Sequence, residues 1–100
     1  MTLDEYGKWA ATLPRPEHPS REQRLAYIGL GLAGEAGEVA DTLRRAMRDG
    51  NLDEGRLTYE LADLLFHWVA LCAEMGLQPS ALIAKGYANI EERLASRSVI

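Results

Sequence analysis

Cysteine is almost missing from this chain: Cys72 stands alone, inside an apolar run. One thiol excludes a disulfide framework, and its apolar neighbours mark it as a buried, reduced side chain. β-Branched residues are few, and no stretch alternates apolar and polar at a period of two, so nothing reads as a strand. Positive charge is in deficit, 15 acidic residues against 11 basic ones for a net charge of −4, which argues against a DNA or RNA polymer as partner. The longest apolar run, Leu64 to Ala73, is interrupted by His67 and is about half of a membrane span. The N-terminus carries no signal-peptide pattern. A cytoplasmic location with no membrane partner is the expectation. Histidine is also scarce, only His18 and His67. Neither has a companion at ligand spacing: His18 reads as a solvent-exposed loop residue, and His67 as a buried or interface one.

What is present is helix. Alanine and leucine are abundant, and 100 residues suit one domain over 1–100. Thr2 and Glu5 have capping-box spacing, and Leu3, Tyr6, Trp9, Ala10 and Leu13 recur at helical period over residues 2–12. Tyr6 and Trp9 read as core packing. Prolines 14, 16 and 19 then forbid continuation. Ser20 and Gln23 predict a second box, opening a long helix to about Arg48 with a stripe of Leu25, Ile28, Leu32, Ala36, Val39, Leu43 and Met47. A third helix begins between Glu54 and Leu57 and is capped by Gly76. Its broad face is Leu57, Leu61, Leu64, Leu65, Trp68, Leu71, Cys72 and Met75, with Phe66 and Val69 pointing elsewhere. A helix apolar nearly all round is buried on more than one side, so a dimer or larger assembly is expected through it. The fourth helix starts near Gln78-Pro79. It has Leu82, Ile83, Tyr87, Ile90 and Leu94 inward and a polar ribbon of Lys85, Asn89, Arg93 and Arg97 at i+4 steps. The fold class is therefore all-α, a four-helix chain assembling into an oligomeric bundle.

Gly29-Leu30-Gly31-Leu32-Ala33-Gly34 matches G-x-G-x-x-G, but a dinucleotide fingerprint needs a preceding strand, and amphipathic helix precedes it here. The chemistry lies just beyond. Glu35 and Glu38 stand three residues apart on the second helix, Glu60 and Asp63 three apart on the third. At ~100° per residue Glu35 lies about 60° from the stripe's centre and Glu38 about 120°, the edge of a core opening to solvent. Like charges so placed repel. A short turn joins the two helices, so they pack side by side with the two pairs near one height. Four carboxylates without cysteine or histidine in register suit a hard ion, Mg²⁺ or Mn²⁺. Redox di-metal chemistry would need two Glu-x-x-His motifs, and there are none. Mg²⁺ held this way completes its shell with substrate phosphates, which makes phosphoanhydride hydrolysis the natural reaction. Lys85, Asn89 and Arg93 then serve phosphate and sugar or base. Gly29, Gly31, Gly34 and Gly37 each cost up to ~1 kcal/mol of helix propensity, and close approach of a second helix backbone is the expected compensation.

Gly31-Leu32-Ala33-Gly34-Glu35-Ala36-Gly37-Glu38-Val39-Ala40, Glu60-Leu61-Ala62-Asp63-Leu64-Leu65 and Lys85-x-x-x-Asn89 together resemble the MazG-like nucleotide pyrophosphohydrolases of the all-α NTP pyrophosphohydrolase superfamily. Dimeric dUTPases and phosphoribosyl-ATP pyrophosphohydrolases are relatives. The resemblance spans about Leu25 to Arg93. It implies Mg²⁺-dependent cleavage of a nucleoside triphosphate to monophosphate and pyrophosphate, often removing non-canonical nucleotides, in dimers or tetramers. It implies Glu35, Glu38, Glu60 and Asp63 as metal ligands and Lys85 and Asn89 as substrate contacts, with Arg93 added from the ribbon. Many members carry another glutamate before the first motif; here that residue is Gly34. Glu35, nearer the core, is the preferred general base. Alternatives are a non-catalytic helical adaptor, or a sibling activity on dUTP or phosphoribosyl-ATP.

Overall fold

The structure is a computed structural model and describes residues 1–14, 17 and 20–96. His18 and the last residues, expected to be exposed and frayed, lie outside that set. Four helices follow in order, α1 (Leu3–Ala11), α2 (Arg21–Asp49), α3 (Glu54–Met75) and α4 (Pro79–Ala95), and no strand occurs among the described residues.

The helix ends follow their caps. Thr2 and Glu5 close a reciprocal capping box on α1. Ser20 accepts from the Gln23 N–H at 3.1 Å, but the return bond from the Gln23 side chain, expected from the spacing, is absent among the described contacts. Asp53 caps α3 by accepting from the Arg56 N–H at 3.0 Å. Gly50 and Gly76 end α2 and α3 at φ 71°, the left-handed conformation that costs glycine nothing.

α2 and α3 form an antiparallel hairpin about Gly50–Asp53, and α1 lies against α3. Rungs fix the hairpin's register. Arg24 Nε donates to Glu74 Oε1 at 2.7 Å, the His67 ring fills the space above Gly31, and the Thr42 hydroxyl donates to Glu60. Each rung joins residues about equally far from the Gly50 turn. The centre of the chain is small: Ala10, Val69 and Cys72 are its buried apolar residues. Burial raises the Cys72 thiol's pKa, in keeping with an inert reduced cysteine. Tyr6 stacks on Trp9 at 5.9 Å, and both rings lean on Phe66 at 6.2 Å, but Trp9, expected in the core, is 48% exposed.

Which face of α3 points inward differs from the sequence expectation. Val69, placed off the broad face, is 0% exposed, whereas Leu61 of that face is 48% exposed and Leu65 and Met75 are open too. Within one chain α1 and α2 claim the Phe66–Val69–Cys72 side. Of the broad face, Leu61, Leu65 and Met75 look out, Leu57, Leu64, Trp68 and Leu71 are half-buried, and Cys72 is buried.

α4 departs most. It is held at its start, where Asp4 accepts from the Ser80 N–H at 2.9 Å and from its hydroxyl at 2.6 Å. Pro79 lies against Gly7, where a Cβ would stand 3.2 Å from the ring. Beyond that turn Ile83, Tyr87 (67% exposed), Ile90 and Leu94 face solvent, so the face expected to be inward is uncovered. The radius of gyration is 16.1 Å, against about 13 Å for a compact chain of this length. Accessible surface is 7371 Å², while a folded monomer of 11.1 kDa exposes about 5,700 Å².

Candidate active site

The hairpin register places Glu38 level with Glu60 and Asp63, and Glu35 level with Asp63 and His67. Two pairs read from the sequence as lying near one height do so because both helices start their count at the same turn. Their environments differ. Glu60 is 4% exposed, with one carboxylate oxygen accepting from Thr42 and the other 3.5 Å from Arg56 Nε. Glu35 is half-buried, and its Oε2 is buried without a hydrogen-bond partner. Neither Glu38, which is exposed, nor the half-buried Asp63 has a side-chain hydrogen bond or ion pair among the described residues.

The repulsion expected between the acidic pairs is already partly relieved within the chain. Glu60, the most buried of the four, is already partnered by Thr42 and Arg56. Nor do the four groups close into a cage: among the described residues no three His, Cys, Asp or Glu side chains gather closely enough to hold a metal. The nearby Asp41 is not a spare ligand either. It binds Arg44 at 2.8 Å and Arg45 at 3.0 Å, and the Arg44 hydrogen bond first, then both charges, hold its carboxyl below the ordinary range. The donor set nonetheless fits a hard cation. It is all oxygen, and it includes an orphaned buried carboxylate oxygen on Glu35, a group that costs about 1–3 kcal/mol to leave unpaired.

The substrate residues read from α4 are not brought to these carboxylates within the chain. Lys85, Asn89 and Arg93 are exposed, and none bonds to Glu35, Glu38, Glu60 or Asp63 among the described residues. Of the four α2 glycines, only Gly31 meets a close neighbour, and it is the His67 ring rather than a helix backbone. A Cβ there would come within 2.8 Å of His67 Cδ2, whereas Gly29, Gly34 and Gly37 face open space.

One feature escaped the sequence. A pocket of about 510 Å³ opens between the end of α1, the first half of α2 and the middle of α3, walled by Tyr27, Ile28, Gly31, Phe66, His67 and Ala70. The available sign was a histidine inside an apolar run; its pairing with Gly31 depends on the register.

Comparison with known proteins agrees with this architecture. Residues 10–86 match the family described as PRA-PH, phosphoribosyl-ATP pyrophosphohydrolase. That span holds all four carboxylates and Lys85 and stops short of Asn89 and Arg93. A phosphoribosyl-ATP pyrophosphatase of Methylococcus capsulatus is 31% identical over 93 residues, 85% of this chain and 86% of that protein. The Gene 37 protein of Mycobacterium phage L5 is 28% identical over 74 residues, 69% of this chain and 65% of that protein. No solved structure matches. The chain belongs to the phosphoribosyl-ATP pyrophosphohydrolase family, within the MazG-like all-α superfamily, and is a pyrophosphohydrolase.

Proposed function

We propose that this single helical domain cleaves a phosphoanhydride bond of a nucleotide and releases pyrophosphate, with phosphoribosyl-ATP as the favoured substrate. The observation that carries the reading is Glu35: a buried carboxylate oxygen with no partner among the described residues, beside the carboxylates of Glu38 and Asp63, which also have none among them, on the same level of the hairpin. The family description and the Methylococcus relative's name direct the substrate to phosphoribosyl-ATP. Hydrolysis of a nucleoside triphosphate to monophosphate, in house-cleaning of non-canonical nucleotides, is the second reading. It is favoured by the Lys85-x-x-x-Asn89 ribbon following the two acidic motifs.

Glu35, Glu38 and Asp63 would hold Mg²⁺ or Mn²⁺. Glu60 would join through the oxygen that now sits at a long 3.5 Å from Arg56, its other oxygen oriented by Thr42 in the manner of an outer-shell partner. Such an ion neutralises phosphate charge and lowers the pKa of bound water. Glu35 is the general base in this reading, taking the proton of the attacking water.

Self-association as a dimer or tetramer completes the site. The outward face of α3, the uncovered face of α4 and the surplus accessible surface are the area that a second copy would bury. Lys85, Asn89 and Arg93 meet a substrate held by the carboxylates when α4 of one copy lies along the hairpin of another.

The test is pyrophosphate release from phosphoribosyl-ATP and from a panel of nucleoside triphosphates, with Mg²⁺ and with EDTA, on protein whose mass in solution is measured. Mg²⁺-dependent release by a dimer or tetramer is expected. A folded protein that releases pyrophosphate from none of them, and whose assembly is indifferent to metal, would be a helical adaptor instead.

A further inference from the structure

We propose that the pocket of about 510 Å³ is a nucleobase subsite, and that His67 Nε2 is the atom that reads the base, accepting a hydrogen bond from an exocyclic amino group. This rests on the nucleotide reading above and deepens it.

His67 Nδ1 lies 2.9 Å from the Asp63 carbonyl oxygen. A carbonyl only accepts, so the hydrogen is on Nδ1, and in the tautomer this selects the lone pair is at Nε2. Nε2 has no partner among the described residues. The ring cannot easily turn away. It stands edge-on to Phe66 at 5.6 Å and 90°, and the missing side chain of Gly31 is the space it occupies, since a Cβ there would be 3.1 Å from Nε2 itself. An acceptor fixed in this way prefers a base N–H to a base carbonyl.

The rest of the pocket suits a flat heterocycle. Tyr27, Ile28, Phe66 and Ala70 give it apolar and aromatic walls, and its volume lies within the range of small-ligand sites. Its charged lining residue, Arg24, is tied to Glu74 at 2.7 Å, which anchors that wall. Position supplies the last part. Gly31 lines the pocket, and Glu35 and Glu38 follow it on the same helix by about 6 and 10 Å at 1.5 Å per residue. A ribose and its first phosphates bridge that interval, so a base here places its phosphoanhydride at the carboxylates.

The experiment titrates the full chain with nucleosides that lack phosphate and exchange the exocyclic amino group for oxo, the adjacent ring nitrogen gaining a hydrogen: adenosine against inosine, and cytidine against uridine, followed by NMR. Expected are shifts at the Gly31 amide and the His67 ring, with the amino nucleoside of a pair bound about five- to tenfold tighter, the worth of one hydrogen bond. His67→Leu should bring that ratio to about one while the oxo nucleoside still binds. Gly31→Ala, which crowds Nε2, should weaken the amino nucleoside selectively in a protein of unchanged helical content. Equal binding of both members, a ratio that survives His67→Leu, or shifts confined to residues away from the pocket would each overturn the proposal; the last includes a pocket already covered by a second copy. Because these ligands carry no phosphate, the two readings fail separately. Amino selectivity without pyrophosphate release sinks the hydrolase reading, and release without selectivity sinks the subsite.

Discussion

The α2–α3 hairpin and α4 are built by opposite means. The hairpin is stitched along its length by Arg24–Glu74, Gly31–His67 and Thr42–Glu60, and each stitch is at least partly buried. α4 is pinned at one end by Asp4, Gly7, Pro79 and Ser80 and exposes its apolar residues beyond that turn. The same chain carries candidate metal ligands on the rigid part and candidate substrate ligands on the part without a tertiary partner. Under the proposed function, such a division would let one chain preorganise its carboxylates and leave the cations for assembly to position.

The strongest way to break the contrast is Glu35→Gln. It should cost at least about 100-fold in pyrophosphate release, more than loss of an outer-shell partner typically does, with helical content by circular dichroism unchanged. Lys85→Ala on α4 should cost less and act mainly on KM; equal losses at both sites would deny that the hairpin is the catalytic half.

Stability should divide in the same way. Thr42→Val leaves a Glu60 carboxylate oxygen without its donor in a place that is 4% exposed, and about 1–3 kcal/mol should be lost in urea unfolding. A null result would mean that water replaces the hydroxyl and the rung is not buried in solution.

Glycines sharpen the comparison by sign. Gly37 faces open space in the chain, so Gly37→Ala should raise stability by about 0.5–1 kcal/mol. A loss instead would show that a second copy seats itself against that stretch of α2, and thermal unfolding over a range of protein concentrations separates the two outcomes.

The smallest effect belongs to α4. Hydrogen bonds from the Ser80 hydroxyl and N–H hold the Asp4 carboxyl below its ordinary value of 3.8. A lowered folded-state pKa means that this clasp contributes above pH 3.8 and is lost as pH falls through the folded value. The Ser80 amide resonance should therefore move at a pH below 3.8, before the hairpin amides do. Simultaneous movement of both regions would mean that α4 is not separately anchored.

Much of the fold was legible in local chemistry. Thr2, Ser20, Gly76 and Pro79 mark helix ends because caps and breakers act on the backbone within four residues of themselves. The level of Glu35–Glu38 against Glu60–Asp63 could be counted, since a short turn leaves antiparallel helices one register. The inward face of α3 could not: a helix apolar on nearly all sides offers several faces, and which is buried depends on where α1 and α2 arrive. Val69 is the case in point. Nor could Glu60 be known as already partnered, because Thr42 stands eighteen residues away in sequence.

The residues alone determined helices, their ends, the absence of strands and the acidic motifs, because each arises from contacts within a few residues along the backbone. Tertiary structure decided which carboxylate keeps an unpartnered oxygen, that His67 rests on Gly31 over a pocket, and that α4 stands away from the hairpin. Those outcomes depend on distances between segments far apart in the chain, which only close packing and desolvation fix.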